Sequence, residues 1–475
     1  MLKKQEIGVV GMGTMGRNLA LNIESKGYNV AIYNRSSGKT TQIIQNNLKK
    51  NLTPYFSLEK FVCALQKPRL IFLMITSGSC VDYLIQSLLN YVDDGDVLID
   101  GGNSFYKDTI RRSLKLLEKK IHFIGLGISG GEEGALKGPS LMPGGSKDAY
   151  DIISCLLKKI AARIDNEACV EYIGPNGSGH YVKMVHNGIE YGDMQIISEI
   201  YCFLKQVLCL TYSQLIKVFN SWNQGELNSY LMDITTKIFM KKDEETNLPV
   251  LEYILDVAGN KGTGAWSTKD ALDLEIPVTM ITEAVFARYL SMLKEQRVKA
   301  STILLSPINN NVNIFTESVD NWIEKARQAL YLSKIILYTQ GFYQLRVSSI
   351  HNNWNLNFEK IAKIFRSGCI IRSKFLQNII DIYSITPGIE NLLLAPYCVN
   401  IANKYQQSLR EIVSCGISYG IAMPALSSAI SYYDSYRSAK LPANLIQAQR
   451  DYFGAHTYCR LDKPGVFHTQ WSYLD

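Results

Sequence analysis

Histidine and cysteine are too few and too scattered in this chain to suggest a metal centre or a disulfide framework. The six histidines include no metal-ligand pair, since His180 and His186 lack zinc-site spacing, and the ten cysteines contain no CxxC. Reduced thiols in a reducing cytoplasm are the expectation, with no bound metal. Long apolar runs are missing too: the longest, Leu70 to Ile75, is far too short to cross a bilayer. Met1-Leu-Lys-Lys-Gln-Glu6 leads straight into a strand pattern without an apolar signal core, so a cytoplasmic protein with no membrane partner is expected. Charge of one sign is nowhere concentrated. The net charge of +7 comes from Lys and Arg scattered along the chain, which argues against nucleic acid and for a small anionic ligand. What the chain does have is length. At 475 residues and 47% hydrophobic content it is an ordinary globular sequence too long for one core, so two or three domains are expected.

Ile7-Gly-Val-Val10 reads as a short strand, and Gly11-Met-Gly-Thr-Met-Gly16 follows at once. A helical pattern from Arg17 to Glu24 leads through Gly27 to a second strand, Asn29 to Tyr33. Strand, GxGxxG, helix and strand in this order make a dinucleotide-binding unit. Gly11 permits the tight turn, Gly13 lets backbone approach a pyrophosphate, and Gly16 lets helix and strand pack closely. The second strand ends in Asn34-Arg35-Ser36 where NAD binders place an acid for the ribose hydroxyls. A carboxylate would repel a 2′-phosphate and Arg35 can grip one, so the expected cofactor is NADP. Strands at Arg69 to Met74, Val97 to Ile99 and His122 to Ile124 alternate with helical segments, which implies a doubly wound parallel sheet. Asp100-Gly-Gly-Asn103 and Gly127-Ile-Ser-Gly-Gly-Glu132 read as loops at two strand ends, where such sheets bind ligands, although Gly-rich turns also serve as plain connectors.

Beyond Gly174-Pro175 long helical patterns take over. On a helix starting at Ser178, the residues Lys183, His186, Asn187, Glu190 and Tyr191 share an arc of roughly 140°. A core-facing stripe normally carries Leu, Ile and Val, and burying these polar groups is costly unless each has a partner. The alternative is a solvated polar face. A faint internal repeat bears on the choice: Leu210, Leu215, Lys217, Val218 and Phe219 recur as Leu356, Ile361, Lys363, Ile364 and Phe365. The same offset carries the polar stripe onto Ala329, Leu332, Ser333, Ile336 and Leu337, the small and apolar face of a packing helix. The first copy breaks that rule, which favours an active site. Val257-Ala-Gly-Asn-Lys-Gly-Thr-Gly264 is a Gly-rich loop around Lys261, suited to cupping a phosphate. Arg450 to His456 lies in a Gly- and Pro-containing tail that must dock on something, such as another subunit.

Taken together, these residues resemble the decarboxylating 6-phosphogluconate dehydrogenase family over essentially the whole chain. Ile254-Leu-Asp-Val-Ala-Gly-Asn-Lys-Gly-Thr-Gly-Ala-Trp266 looks like its signature, and Trp222-Asn-Gln-Gly-Glu-Leu227, Gly368-Cys-Ile-Ile-Arg-Ser373 and Arg450-Asp-Tyr-Phe-Gly-Ala-His456 are family-like. The resemblance implies an α/β, Rossmann-like domain over 1–177, an all-helical domain with an internal duplication over 178–437, and a tail over 438–475 that inserts into the partner of a homodimer. It implies NADP-linked oxidation of 6-phosphogluconate to ribulose 5-phosphate and carbon dioxide, with Lys183 as base and Glu190 as acid. Asn103, Ser129, Gly130, Gly131, His186 and Asn187 would hold the sugar acid. Tyr191, Lys261 and Arg288 would hold its phosphate, with Arg450 and His456 from a partner chain. NADP would lie against Gly11, Met12, Gly13, Thr14, Met15 and Gly16, against Asn34, Arg35 and Ser36, and against Ile75, Thr76, Ser77 and Asn103. The chemistry agrees: a free lysine is almost wholly protonated at pH 7, so the base must be depressed by desolvation or nearby cations and the acid raised in a closed cleft. One departure stands out. Family members usually carry Val-Lys-Ala after the third strand, and Ile75-Thr76-Ser77 replaces that cation with a hydroxyl. It leaves open a noncatalytic NADP-binding protein, and a related β-hydroxyacid dehydrogenase is a further alternative, opposed by the cations Lys261, Arg288 and Arg450.

Overall fold

The computed structural model describes residues 4–47, 50–260, 262–307 and 317–471. The chain forms two compact units, Met1–Ala429 and Ile430–Asp475. The first opens on a sheet of seven strands: β1 (Gln5–Val10), β2 (Val30–Tyr33), β3 (Leu52–Tyr55), β4 (Leu65–Leu73), β5 (Val97–Asp100), β6 (His122–Ser129) and β7 (Ser140–Gly145). Their order is β3-β2-β1-β4-β5-β6-β7, with β1 to β6 parallel and β7 antiparallel to β6. The order reverses beside β1, which opens a crevice at the carboxyl ends of β1 and β4. Alternate residues feed two cores, Val9, Ile32, Phe72 and Ile99 on one face and Val10, Ala31, Leu73 and Leu98 on the other. Burial on both faces is why these strands are nearly continuous apolar runs.

The sheet is larger than the sequence pattern predicts. β3 and β7 are additional, and β7 makes the sheet mixed instead of purely parallel. Pro143 and two glycines in β7 weaken its strand signal. The strand expected at His122 to Ile124 continues to Ser129 through Gly125 and Gly127. Both glycines are packing requirements. A Cβ at Gly125 would lie 2.9 Å from His180 Nδ1, and one at Gly127 would lie 2.6 Å from Lys183 Cβ. On the opposing helix, a Cβ at Gly179 would collide with the carbonyl oxygens of Gly125 and Met142. The helix Ser178–Gln206 therefore starts flush against β6 and β7.

That 29-residue helix packs along a 33-residue one, Val319–His351. Each offers a glycine notch to the other: a Cβ on Gly192 would collide with Leu337, and one on Gly341 would lie 2.5 Å from Ile189 Cδ1. Between them Lys334 Nζ meets Asp193 Oδ2 at 2.6 Å, both side chains almost fully buried. Ala329, Leu332, Ser333, Ile336 and Leu337 are all fully buried. After each long helix the elements recur in order. Tyr212–Asn223, Tyr230–Met240 and Thr279–Met292 are followed, 145 or 146 residues later, by Phe358–Phe365, Phe375–Ile385 and Pro424–Arg437. The second unit contains the helix Ala443–Gly454 and a short antiparallel pair, Tyr458–Cys459 with Val466–Phe467. No helix among the described residues is long and apolar enough to cross a membrane.

Candidate active site

The glycine-rich turn after β1 is shaped by collision on two sides and open on the third. Gly11 has φ 99°, and a Cβ there would run into the Met74 carbonyl. A Cβ on Gly16 would collide with Gly11 O, whereas one on Gly13 would meet nothing within 4 Å. Gly13 is thus the point where a ligand can reach the backbone. The turn is pinned by Asn34, whose Oδ1 accepts the Met12 N–H at 3.0 Å while its Nδ2 donates to Ser36 O at 3.0 Å.

Gly11, Gly13, Asn34, Arg35, Ser36, Ile75 and Thr76 line one cleft of about 520 Å³ beside β1 and β4. Thr14 faces a smaller adjoining hollow, and Met15 packs against the sheet core. Ser77 lies just past the cleft-lining Ile75 and Thr76, and Asn103 is exposed on the loop after β5. The same cleft contains Lys39, one helical turn beyond Arg35, which the sequence reading missed. Among the described residues neither cation has an acidic partner, and no carboxylate ends β2. An open glycine edge with two free cations fits a dinucleotide carrying an extra phosphate.

The polar stripe is largely inside the protein. Lys183 is 7% exposed, His186 0% and Asn187 and Tyr191 7% each, while the Glu190 side chain is 22% exposed. Lys183 Nζ lies 3.4 Å from His186 Nδ1 and has no ion-pair partner among the described residues. Burial pulls the amine below its ordinary pKa, against the opposing influence of Glu190 and the Cys369 thiol. Glu190 is shifted the other way: burial raises its pKa, with Lys183 and Arg288 working against it. His186 is held well below its usual value by burial and by Lys183, so it is neutral. Its Nε2 meets Ser129 Oγ at 3.1 Å and its Nδ1 meets Asn187 Oδ1 at 3.1 Å.

The glycines after Ser129 bring other walls close. Gly130 (φ 132°) sits against the Gly368 carbonyl, and Gly131 (φ 63°) has open space where a Cβ would be. The stretch Gly127 to Glu132, expected as a loop, is the end of β6 followed by a helix from Gly131. Asp100 shapes the neighbouring loop, accepting from Gly102 N at 3.0 Å and Ser104 Oγ at 2.6 Å. His180 bridges it to the helix, from Thr109 Oγ1 at 2.7 Å to Asp100 O at 3.1 Å.

At the other end of the stripe, the Arg288 guanidinium carbon lies 3.4 Å from the centroid of the Tyr191 ring. Arg288 Nη1 donates to Gly259 O at 3.2 Å, which ties it to the glycine-rich segment. Lys261 lies outside the described residues. That segment is shorter than expected as a loop: Gly262, at φ 88°, caps a helix that begins at Thr263. Gly264 abuts Tyr191, so that a Cβ there would lie 2.6 Å from the ring. The helix is anchored by Asp270, which accepts from Tyr106 at 2.6 Å and Tyr181 at 2.5 Å, a link no local sequence signal announces. Arg450 and His456 belong to the second unit, where both are exposed. No cluster of His, Cys, Asp or Glu among the described residues could hold a metal ion.

Comparison with known proteins agrees over the whole chain. Residues 6–174 match the profile described as the NAD binding domain of 6-phosphogluconate dehydrogenase, and residues 179–471 match 6-phosphogluconate dehydrogenase, C-terminal domain. The NADP(+)-dependent, decarboxylating 6-phosphogluconate dehydrogenase of Bacillus subtilis (strain 168) is 56% identical over 470 residues, 99% of this chain and 100% of the relative. The decarboxylating 6-phosphogluconate dehydrogenase of Escherichia coli (strain K12) is 58% identical over 471 residues, with the same coverage. A solved structure of the Plasmodium falciparum 6-phosphogluconate dehydrogenase, described in apo form and with NADP+ or 6-phosphogluconate, superposes with a TM-score of 0.94. It is 43% identical, covering 98% of this chain and 100% of that one.

Proposed function

The chain belongs to the 6-phosphogluconate dehydrogenase family, and on that premise we propose that Lys183 is the general base and Glu190 the general acid of its reaction. The reaction is the oxidative decarboxylation of 6-phosphogluconate to ribulose 5-phosphate and carbon dioxide, in the oxidative pentose phosphate pathway. NADP, held by the Gly11–Gly16 turn, Asn34, Arg35, Ser36 and the backbone of Ile75 to Ser77, supplies the hydride acceptor. One observation carries the assignment: a lysine buried without an ion-pair partner among the described residues shares a helix face with a carboxyl two turns away, and burial shifts the two pKa values in opposite directions. Shifts of these signs favour the free amine and the protonated carboxyl, the forms the chemistry requires.

Neutral Lys183 takes the proton of the hydroxyl β to the carboxylate as that carbon is oxidised. As an ammonium it then donates to the new ketone oxygen. The C–C bond to the carboxylate breaks, carbon dioxide leaves, and its electron pair passes into an enediol. Glu190 gives its proton to the carbon that lost carbon dioxide. Ser129, Gly130, Gly131, His186, Asn187 and Asn103 orient the sugar acid, and Tyr191, Arg288 and Lys261 take its phosphate. We read the active molecule as a cytoplasmic homodimer with a Rossmann-like domain over 1–177, a duplicated helical domain over 178–437 and a tail over 438–475. In this reading Arg450 and His456 of the tail complete the neighbour's phosphate site. Exposed Leu445, Ile446, Tyr452 and Phe453 on the tail support such a docking.

Full-length protein given NADP and 6-phosphogluconate should release NADPH and carbon dioxide in equal amounts. Lys183→Ala should lower kcat by about 10²- to 10⁴-fold, and unchanged turnover in that variant would remove Lys183 from the role.

A further inference from the structure

In the second unit, the helix Ala443–Gly454 ends in an uncommon way. Ala455 (φ 50°) and Thr457 (φ 60°) both lie in the left-handed region, on either side of His456. Two non-glycine residues there, one of them β-branched, persist only if their surroundings hold them. The Thr457 backbone is held at both ends. Its N–H donates to Asp451 Oδ1 at 2.9 Å, and its carbonyl accepts from Gln447 Nε2 at 2.5 Å. Gln447 Oε1 in turn accepts from Arg450 Nη1 at 2.9 Å. Arg450 and His456 are therefore both tied to Thr457, the first through Gln447 and the second by the adjoining peptide bond.

Asp451 is fully buried in a unit that exposes most of its side chains. Besides Thr457 N–H, it accepts from His468 Nδ1 at 2.9 Å, Thr469 N at 3.0 Å and Trp471 Nε1 at 2.7 Å. An aspartate offers about four lone-pair sites, and four donors occupy them. The carboxylate next in sequence to Arg450 is thus committed to folding the tail, and among the described residues that guanidinium has no acidic partner.

We propose that Asp451 and Gln447 are positioning residues that lock Thr457 and so present Arg450 and His456 as one preassembled anion clamp for the substrate phosphate. The inference rests on the reading that Arg450 and His456 meet substrate. Neither positioning residue needs to touch it.

The test uses the full-length enzyme with 6-phosphogluconate and NADP. Asp451→Asn should raise the KM for 6-phosphogluconate about tenfold, leave the KM for NADP within about twofold, and speed amide hydrogen exchange at Thr457 and Thr469. Gln447→Ala should raise the same KM about threefold, and it keeps the proposal testable if Asp451→Asn disorders the tail. In a His456→Ala, Arg450→Ala background, adding Asp451→Asn should cost less than a further twofold. If the His456 and Arg450 variants leave KM unchanged, it is the substrate-contact reading that fails. If they raise KM while Asp451→Asn and Gln447→Ala do not, or if the losses multiply independently, the positioning proposal is overturned.

Discussion

Lys183 Nζ lies 3.4 Å from His186 Nδ1, and that nitrogen also faces Asn187 Oδ1 at 3.1 Å. An amide oxygen accepts, so the Nδ1 must carry the proton and Nε2 must accept from Ser129 Oγ. The tautomer turns an N–H toward Lys183, which favours the free amine over the ammonium. The pH profile of kcat/KM should therefore be bell-shaped, its acidic limb set by Lys183 and its alkaline limb by Glu190. Glu190→Gln should lower kcat about 10²-fold or more and abolish the alkaline limb.

Burying Lys183 also costs stability, and the sign is fixed. Its folded pKa is depressed, so the cost is complete at low pH and shrinks as pH rises from the folded toward the unfolded value. Lys183→Met should be inactive yet more resistant to urea than wild type, with the margin narrowing as pH rises toward the unfolded lysine pKa.

Gly127 and Gly13 should respond oppositely to a methyl group. Gly127→Ala forces a Cβ to 2.6 Å from Lys183 Cβ and should cost about 1–3 kcal/mol of stability together with much of kcat. Gly13→Ala meets nothing in the fold, so stability should hold while the KM for NADP rises tenfold or more, by about 1.4 kcal/mol.

Arg35 and Lys39, which line the cofactor cleft, should set its preference. Arg35→Ala and Lys39→Ala should each weaken NADP binding by about 1.5–3 kcal/mol, the worth of a charge-assisted hydrogen bond. Binding of NAD should change little. Titration with both nucleotides measures the difference, and equal losses for the two would remove these residues from the 2′-phosphate.

Glu199 accepts the N–H groups of Ala425 and Leu426 at 2.9 Å each, at the start of the helix Pro424–Arg437. Burial nonetheless pushes its pKa up to about 7. A raised carboxyl contributes stability below its unfolded pKa that is lost as pH climbs through the folded value. Glu199→Gln should remove that loss. Its urea midpoint relative to wild type should rise between pH 5 and pH 8, by an amount equivalent to about 3 kcal/mol.

If the tail completes a neighbouring site, two enzymes impaired at subsaturating substrate can make a live one. Lys183→Ala and Arg450→Ala homodimers, unfolded together and refolded, would form hybrids in which one site has both native residues. Recovered activity approaching a quarter of wild type is expected from random pairing. No recovery would place Arg450 in its own subunit's site.

The nucleotide-binding half was legible because its signals are local: Gly11, Gly13, Gly16 and Arg35 declare themselves within one strand–turn–helix unit. Lys39 was within reach of the same reasoning, since it stands one turn into the helix after Arg35. The length of β6 was not legible. Gly125 and Gly127 break a strand pattern for the sake of His180 and Lys183, more than fifty residues later. The polar stripe could be seen as anomalous, but its burial depends on the helices around it. Asp270 and Asp451 look like surface acids in sequence because their partners lie far along the chain or in a turn with no regular period.

Gly127 and Lys183 touch backbone to Cβ with no spare room, and that contact has a mechanical consequence. The amine proposed as the base is thus referenced to the nucleotide-binding sheet through a close-packed seam, so no hinge can open between them without prising the helix off β6.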